Sequence, residues 1–159
     1  MGRRTIREKT FLLLFGADLH APEELPGQIS LFFESEDAEY LEEEAQKAEE
    51  EGRKADEIMI PESLSANRDE IRERVIGVAG RIPELDAMLN DKIQGWDTGR
   101  IGKVELTILR LALYEMRFDP EVSDAVAINE AVELAKKYGQ EKSGEFVNGV
   151  LAKFAKDRI

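Results

Sequence analysis

The sequence contains no cysteine and a single histidine, His20. The lack of cysteine excludes disulfide bonds, iron–sulfur clusters and a cysteine nucleophile. With one histidine, no multi-histidine metal site can form, and a histidine-based catalytic triad is not expected. No apolar run approaches the roughly 18 residues that a membrane-spanning helix needs, and the apolar stretch at residues 11–15 is too short for a signal peptide. We therefore expect a soluble cytoplasmic protein without metal or cofactor.

Strand-like alternation of valine, isoleucine and threonine is also missing, whereas glutamate, lysine, alanine, leucine and arginine dominate. The 159 residues fit one domain, and 42% hydrophobic residues suffice for a core. This composition predicts a single all-α domain over residues 1–159. The predicted helices cover residues 5–19, 26–33, 64–80, 83–93, 100–118 and 125–138, with a last helix through residues 146–154. The helix over 100–118 is apolar on two faces, which is typical of the centre of a bundle.

The net charge of −12 argues against a nucleic-acid partner, but the charge is unevenly distributed. Residues 34–57 carry 12 acidic and three basic side chains, whereas residues 1–20 and 136–159 each carry more basic than acidic side chains. Basic chain ends favour a polyanionic partner. We interpret residues 34–60 as an acidic insertion or linker, either a solvated helix or a partly disordered segment.

Three arginines, Arg3, Arg4 and Arg7, stand at the predicted start of the first helix. Arg3 and Arg7 share a helix face, and guanidinium groups bind phosphate oxygens through paired hydrogen bonds. Cations at a helix N-terminus oppose the helix dipole, so their presence favours an anionic partner. Residues 11–15 cover the same helix with apolar side chains on all sides, so a neighbour, a partner chain or a stacked base must bury some of them.

Patterns of known catalytic or metal sites are lacking. Neither the dinucleotide-binding nor the phosphate-loop glycine motif occurs. The run Glu42-Glu43-Glu44 is interpreted as a solvated face rather than a metal site, and His20 as a surface or capping residue. The sequence thus predicts a protein that is not an enzyme.

Two C-terminal segments resemble the NusB family, which acts in transcription antitermination and ribosomal-RNA synthesis. They are VAINEAVELAKKYG at residues 126–139 and FVNGVL at residues 146–151. The segment VELTILRLALYE at residues 104–115 is similar to the preceding part of that family, as is Arg3-Arg4-x-x-Arg7-Glu8 before an apolar helix. The resemblance implies an all-α fold, a bundle of about seven helices in two packed helical subdomains.

The resemblance also implies a function. Family members bind boxA-type single-stranded RNA, best as a heterodimer with the small-subunit ribosomal protein NusE, and join the antitermination complex of RNA polymerase. Some members form homodimers that mask the RNA surface. Transferred by position, the RNA-binding residues are Arg3, Arg4, Arg7, Phe15, Tyr138, Lys142 and Ser143. The residues transferred to the partner-protein face are Glu105, Arg110 and Glu115.

Several alternatives stay open. Glu105 and Arg110 could instead be surface charges or pairs within the bundle. Asn129, Glu130 and Asn148 are interpreted as structural residues at a helix junction, with direct RNA contact as the alternative. Gly149 is expected to let two helices approach closely.

Other functional classes compete with the RNA-binding adaptor. One is a protein–protein scaffold or homodimer in which RNA binding is weak. Another is an enzyme, because NusB-like domains also occur fused to ribosomal-RNA cytosine methyltransferases. The enzyme hypothesis is disfavoured because the chain has neither the cysteine nucleophile nor a cofactor-binding glycine-rich loop. The acidic segment looks longer than the usual linker of the family, and it could fold back over the basic RNA face.

Overall fold

The computed structural model describes residues 2–17, 20–54, 56, 58–93 and 98–155. Over these residues it contains α-helices and no β-strand, so the predicted all-α class is confirmed. The helices are α1 (Arg3–Ala17), α2 (Leu25–Glu51), α3 (Glu62–Ser65), α4 (Arg68–Ala79), α5 (Ile82–Lys92), α6 (Lys103–Phe118), α7 (Asp124–Tyr138) and α8 (Ser143–Ala152). Seven of these described helices exceed a single turn, in agreement with the predicted number. No helix in the described part of the chain is long and apolar enough to cross a membrane.

The chain divides into two compact units, Met1–Arg74 and Val75–Ile159. The division falls within α4. The first unit contains α1, α2, α3 and the beginning of α4. The second unit contains the rest of α4 and helices α5 to α8.

Helix α1 begins at Arg3, two residues before its predicted start. Its buried residues recur at helical spacing and are Ile6, Thr10, Phe11, Leu13 and Leu14. The hydroxyl of Thr10 is satisfied because it donates to the carbonyl oxygen of Ile6 at 2.8 Å. Leu12 lies on the other side and is 37% exposed. The apolar stretch therefore has one buried face and one that reaches solvent.

Helix α2 is continuous from Leu25 to Glu51, so its predicted end near Phe33 is wrong. The residues after Phe33 are rich in glutamate and alanine, whose high helix propensity extends the helix. Between residues 34 and 51 Ala48 alone is buried. Gly52 ends the helix in the left-handed conformation, with φ of 74°. Over residues 34–51 the acidic segment is helical, and most of its side chains are exposed or half-buried.

Two acidic residues of α2 act as counter-ions within the first unit. Lys9 Nζ lies 2.7 Å from Glu36 Oε2. Arg68 donates two hydrogen bonds to the Asp37 carboxylate, at 2.7 and 3.1 Å, and its guanidinium lies 5.0 Å from the centre of the Phe33 ring. The hydrogen bond from Arg68 holds the pKa of Asp37 below its ordinary value. Part of the acidic charge of α2 therefore neutralises α1 and α4 inside this unit.

Helix α6 forms the centre of the second unit, as its two apolar faces predict. Its buried residues are Thr107, Ile108, Leu109, Leu111, Ala112, Leu113, Glu115 and Met116. Helices α7 and α8 pack against it and against each other. The buried stripe of α7 includes the small residues Ala127, Ala131 and Ala135, which allow neighbouring helices to approach closely.

Candidate nucleic-acid interface

The first candidate group is the N-terminus of α1. Arg3 and Arg4 are exposed and Arg7 is half-buried, all within the first two helical turns. Arg3 is already paired: Nη1 donates to Glu70 Oε1 at 2.9 Å, and Nη2 contacts Glu70 Oε2. This pairing lowers the pKa of Glu70. The anionic partner that the helix dipole favours is therefore supplied, for Arg3, by the chain itself.

Phe15 lies on the same helix, one turn after Phe11. The two ring centres are 6.0 Å apart, with an interplanar angle of 33°. Phe11 is 1% exposed and belongs to the core, whereas Phe15 is half-buried. Phe15 thus keeps part of its ring accessible, which a stacking base requires.

The second candidate group lies at the turn between α7 and α8. Tyr138 ends α7 and is half-buried, Lys142 is exposed, and Ser143 begins α8 but is buried. The Ser143 hydroxyl accepts a hydrogen bond from the Gln140 amide at 2.8 Å and donates one to Glu105 Oε1 at 2.5 Å. The structure therefore brings together a predicted RNA-binding residue and a predicted partner-protein residue.

A cavity of about 430 Å³ opens beside this turn, in the second unit. It lies where α6 and α8 begin, and its lining includes Arg100, Lys142 and Phe146 together with Glu105 and Glu141. Helix N-termini and cations attract phosphate, and an aromatic ring suits an unpaired base. Arg100 and Phe146 were missed as candidates from the sequence. Phe146 opens the FVNGVL segment, and that position was the signal that could have marked it.

The three predicted partner-protein residues all make contacts within the chain or are buried. Arg110 donates to both carboxylate oxygens of Asp86, at 2.8 and 2.7 Å, and Glu105 accepts from Ser143. Glu115 is only 1% exposed. Glu105 and Arg110 therefore make contacts within the bundle, which is the alternative interpretation of these two residues. Their role in binding a partner protein stays a prediction.

The residues expected to be structural in the C-terminal segments are largely at the surface. Asn129 and Asn148 are exposed and line a second cavity, of about 580 Å³, along α7 and α8. A Cβ atom built on Gly149 would meet nothing within 4 Å. The expected close approach of two helices at Gly149 is therefore wrong, because that position faces open space.

Among the described residues, no group of three or more histidine, aspartate or glutamate side chains is placed to hold a metal ion. His20 is exposed, with Nδ1 lying 3.3 Å from Glu24 Oε2. The histidine is thus a surface residue beside a short helical turn.

Comparison with known proteins places the chain in a family. A model described as the NusB family matches residues 6–156. The transcription antitermination protein NusB of Agathobacter rectalis is 41% identical over 155 residues, which cover 98% of this chain and 100% of that protein. The protein of the same name from Lachnoclostridium phytofermentans is also 41% identical, with 96% of this chain and 98% of that protein covered.

Two solved structures are similar to this chain over nearly its whole length. T. maritima NusB superposes with a TM-score of 0.70 at 26% identity, covering 99% of this chain and 93% of that chain. A chain from the crystal structure of a plectonemic RNA supercoil gives a TM-score of 0.64 at 28% identity, covering 96% and 93%. The relatives are named for transcription antitermination and not for a catalysed reaction, as the prediction of a non-enzymatic protein requires. The chain belongs to the NusB family of transcription antitermination proteins.

Proposed function

We propose that this chain is a non-enzymatic RNA-binding adaptor of transcription antitermination and ribosomal-RNA synthesis. It binds boxA-type single-stranded RNA together with the ribosomal protein NusE. The complex joins the antitermination machinery of RNA polymerase in the cytoplasm. The observation that carries this proposal is the cavity at the start of α6 and α8.

The chemistry of that cavity supports a single-stranded RNA ligand. Lys142 is exposed at the N-terminus of α8, where backbone N–H groups and the helix dipole also favour a phosphate. Arg100 lines the same cavity, and the ring of Phe146 offers a face to an unstacked base. Double-stranded RNA would keep its bases stacked and leave such a ring unused.

The first unit supports the proposal independently. Arg3 and Arg4 are exposed at the start of α1, and the partly accessible ring of Phe15 follows on the same helix. Arginine for phosphate and an aromatic ring for bases is the combination that single-stranded RNA sites use.

The direct test is binding of the full chain to a boxA-type single-stranded RNA at several salt concentrations, with and without NusE. We expect the affinity to fall as the salt concentration rises. Lysine and arginine side chains that bind phosphates release counter-ions from the RNA, and this release is less favourable at high salt. We also expect NusE to tighten RNA binding. An affinity that is absent in both conditions would contradict the proposal.

The N-terminal arginines are tested by the double change Arg3→Ala with Arg7→Ala. Each lost phosphate contact on a single strand lowers the salt slope by about 0.7, so the slope should fall by about 1–1.5. The matched control is Arg53→Ala with Lys54→Ala, which removes two exposed cations from the same unit. Equal slopes for both variants would remove the arginines from the RNA-binding group.

Phe15→Ala tests base stacking. We expect RNA affinity to weaken by about 1–3 kcal/mol with little change in the melting temperature, because a stacked base loses its platform. A large loss of stability with unchanged RNA affinity would make Phe15 a core residue only.

One observation favours the alternative of a protein–protein scaffold or homodimer with weak RNA binding. Arg3 is already neutralised by Glu70, so the chain does not need RNA to compensate that charge. This alternative predicts an RNA affinity that is weak and insensitive to salt, with or without NusE.

A further inference from the structure

We propose that Glu105 is a positioning residue for RNA: through Ser143 it holds the turn between α7 and α8 in its binding conformation. This inference rests on the proposed RNA-binding function. It assigns Glu105 a role that differs from its predicted contact with a partner protein.

The geometry is a chain of two hydrogen bonds that joins α6 to the turn. Glu105 Oε1 accepts a hydrogen bond from the Ser143 hydroxyl at 2.5 Å. The same hydroxyl accepts one from the backbone N–H of Gln140 at 2.8 Å. The Ser143 amide in turn donates to the Gln140 carbonyl oxygen at 3.0 Å. The Ser143 hydroxyl has a single hydrogen to donate, and it donates this hydrogen to the Glu105 carboxylate. The backbone from Gln140 to Ser143 is thereby tied to one carboxylate.

The surroundings leave this arrangement little freedom. A Cβ atom on Gly139 would lie 2.6 Å from the Ser143 side chain and 2.7 Å from the Ala135 carbonyl oxygen. A Cβ atom on Gly102 would lie within 2.4 Å of Glu105 Oε2. At Gly139 the close atoms include the Ala135 backbone oxygen and Ser143 Cβ, so a side chain there would displace the turn, whereas at Gly102 the Glu105 carboxylate would have to shift. Ser143 itself is only 5% exposed, so water does not readily replace its partner.

The consequence for RNA follows from the position of Lys142. It directly precedes Ser143 and is exposed on the cavity. A cation on an ordered turn loses less conformational entropy when it binds a phosphate than one on a mobile turn. Removal of the Glu105 carboxylate should therefore weaken RNA binding by loosening the turn.

The direction of this effect separates positioning from plain electrostatics. Glu105 is a negative charge beside an RNA surface, so its removal alone would strengthen binding to a polyanion. The positioning role predicts the opposite sign. Glu141→Gln is the matched control, because Glu141 lines the same cavity, carries the same charge and is exposed on the turn.

The experiment measures salt-dependent binding of boxA-type RNA and NusE to the full chain and to four variants. These are Glu105→Ala, Glu105→Gln, Ser143→Ala and Glu141→Gln. We expect Glu105→Ala and Ser143→Ala to weaken RNA binding by about 5- to 10-fold and to lower the salt slope by about 0.7. Glu105→Gln should restore most of the affinity because its amide oxygen still accepts from Ser143. Glu141→Gln should strengthen RNA binding, because it removes a negative charge from the cavity and leaves the Glu105–Ser143 hydrogen bond intact.

Limited trypsin digestion after Lys142 gives a readout that needs no RNA. Cleavage should accelerate in Glu105→Ala and stay near the parental rate in Glu105→Gln, because both variants keep the residues beside Lys142 and only the first releases the turn. A Glu105→Ala chain that binds RNA as well as the parent, or better, would overturn the proposal. So would a loss confined to NusE binding, which would restore Glu105 as a partner contact. A parent chain that binds no RNA would refute the proposed function, whereas unchanged trypsin cleavage would refute the hydrogen-bonded turn alone.

Discussion

The two units of the chain differ in how far their longest helix is buried. The first unit joins its helices with ion pairs, such as Lys9–Glu36 and Arg68–Asp37, and much of its longest helix lies in solvent. In the second unit most residues of α6 from Thr107 to Met116 are buried, and α5, α7 and α8 pack against it. Its polar contacts between helices include those of Arg110 with Asp86 and of Ser143 with Glu105. Both units bury apolar residues, among them Phe11, Ile29 and Ile71 in the first, and the difference lies in α2: its residues 34–51 contribute ion pairs to α1 and α4 but only Ala48 to the buried residues.

The largest expected effect breaks the packing of the second unit. Leu113 is fully buried on α6, so Leu113→Ala should lower the free energy of unfolding by about 2–5 kcal/mol. Leu41 lies on α2 and is 39% exposed, so Leu41→Ala should cost less than about 1 kcal/mol. Chemical denaturation followed by circular dichroism measures both. Equal losses would contradict the burial of Leu113 and the exposure of Leu41.

Two glycines of the second unit give the next effect. Gly139→Ala places a methyl group against Ser143 and the Ala135 carbonyl, and should destabilise the chain by about 1–3 kcal/mol. Gly149→Ala meets open space within α8 and should stabilise it by up to about 1 kcal/mol, because alanine favours the helix. Thermal melts of both variants check the signs. A stabilising Gly139→Ala would show that the turn is not closely packed.

The ion pairs of the first unit predict a pH dependence. Arg68 lowers the pKa of Asp37 below its ordinary value of 3.8, so the stabilisation is present above that pH and is lost as the pH falls through the lowered pKa. Asp37→Asn should cost about 1–2 kcal/mol at pH 7.

The deficit of Asp37→Asn should shrink as the pH falls below about 4, because the parental carboxyl is then protonated as well. Urea denaturation at several pH values measures this. Glu43→Gln, an exposed acid on the same helix, is the control and should follow the parent. A deficit that stays constant down to the acid limit would rule out the charge pair as its source.

The smallest expected effect concerns the exposed pair of Arg3 and Glu70. Its side chains are 64% and 35% exposed, so Glu70→Gln should change the free energy of unfolding by at most about 0.5 kcal/mol. Double-mutant analysis with Arg3→Ala measures the coupling. A coupling as large as that of Arg68 with Asp37 would erase the distinction between exposed and enclosed ion pairs.

The sequence predicted the second unit better than the first, for a physical reason. Helical periodicity of apolar residues reports burial, and α6 carries such residues on two faces. That pattern predicted both its place in the bundle and its approximate bounds. Helix α2 has no such periodicity after Phe33, so pattern reasoning ended it there although helix propensity continues it to Glu51.

The candidate site could be predicted only in part. Arg3, Phe15 and Lys142 are recognisable because their residue types match phosphates and bases. The contacts that such residues make within the chain cannot be recognised in the sequence. Arg3 with Glu70, and Ser143 with Glu105, are pairs of residues far apart in sequence. No local pattern encodes which carboxylate a distant side chain will meet. For the same reason, the sequence alone does not indicate that Glu115 is buried.

The RNA contacts that we propose lie at the start of α1 and at the turn between α7 and α8. Hydrogen–deuterium exchange of the full chain, with and without boxA-type RNA and NusE, tests these contacts most directly. We expect RNA to slow exchange in residues 3–10 and 138–146 and to leave exchange in the acidic residues 34–51 of α2 unchanged. Slowed exchange confined to α2, or absent from both predicted segments while RNA is bound, would contradict the proposed contacts.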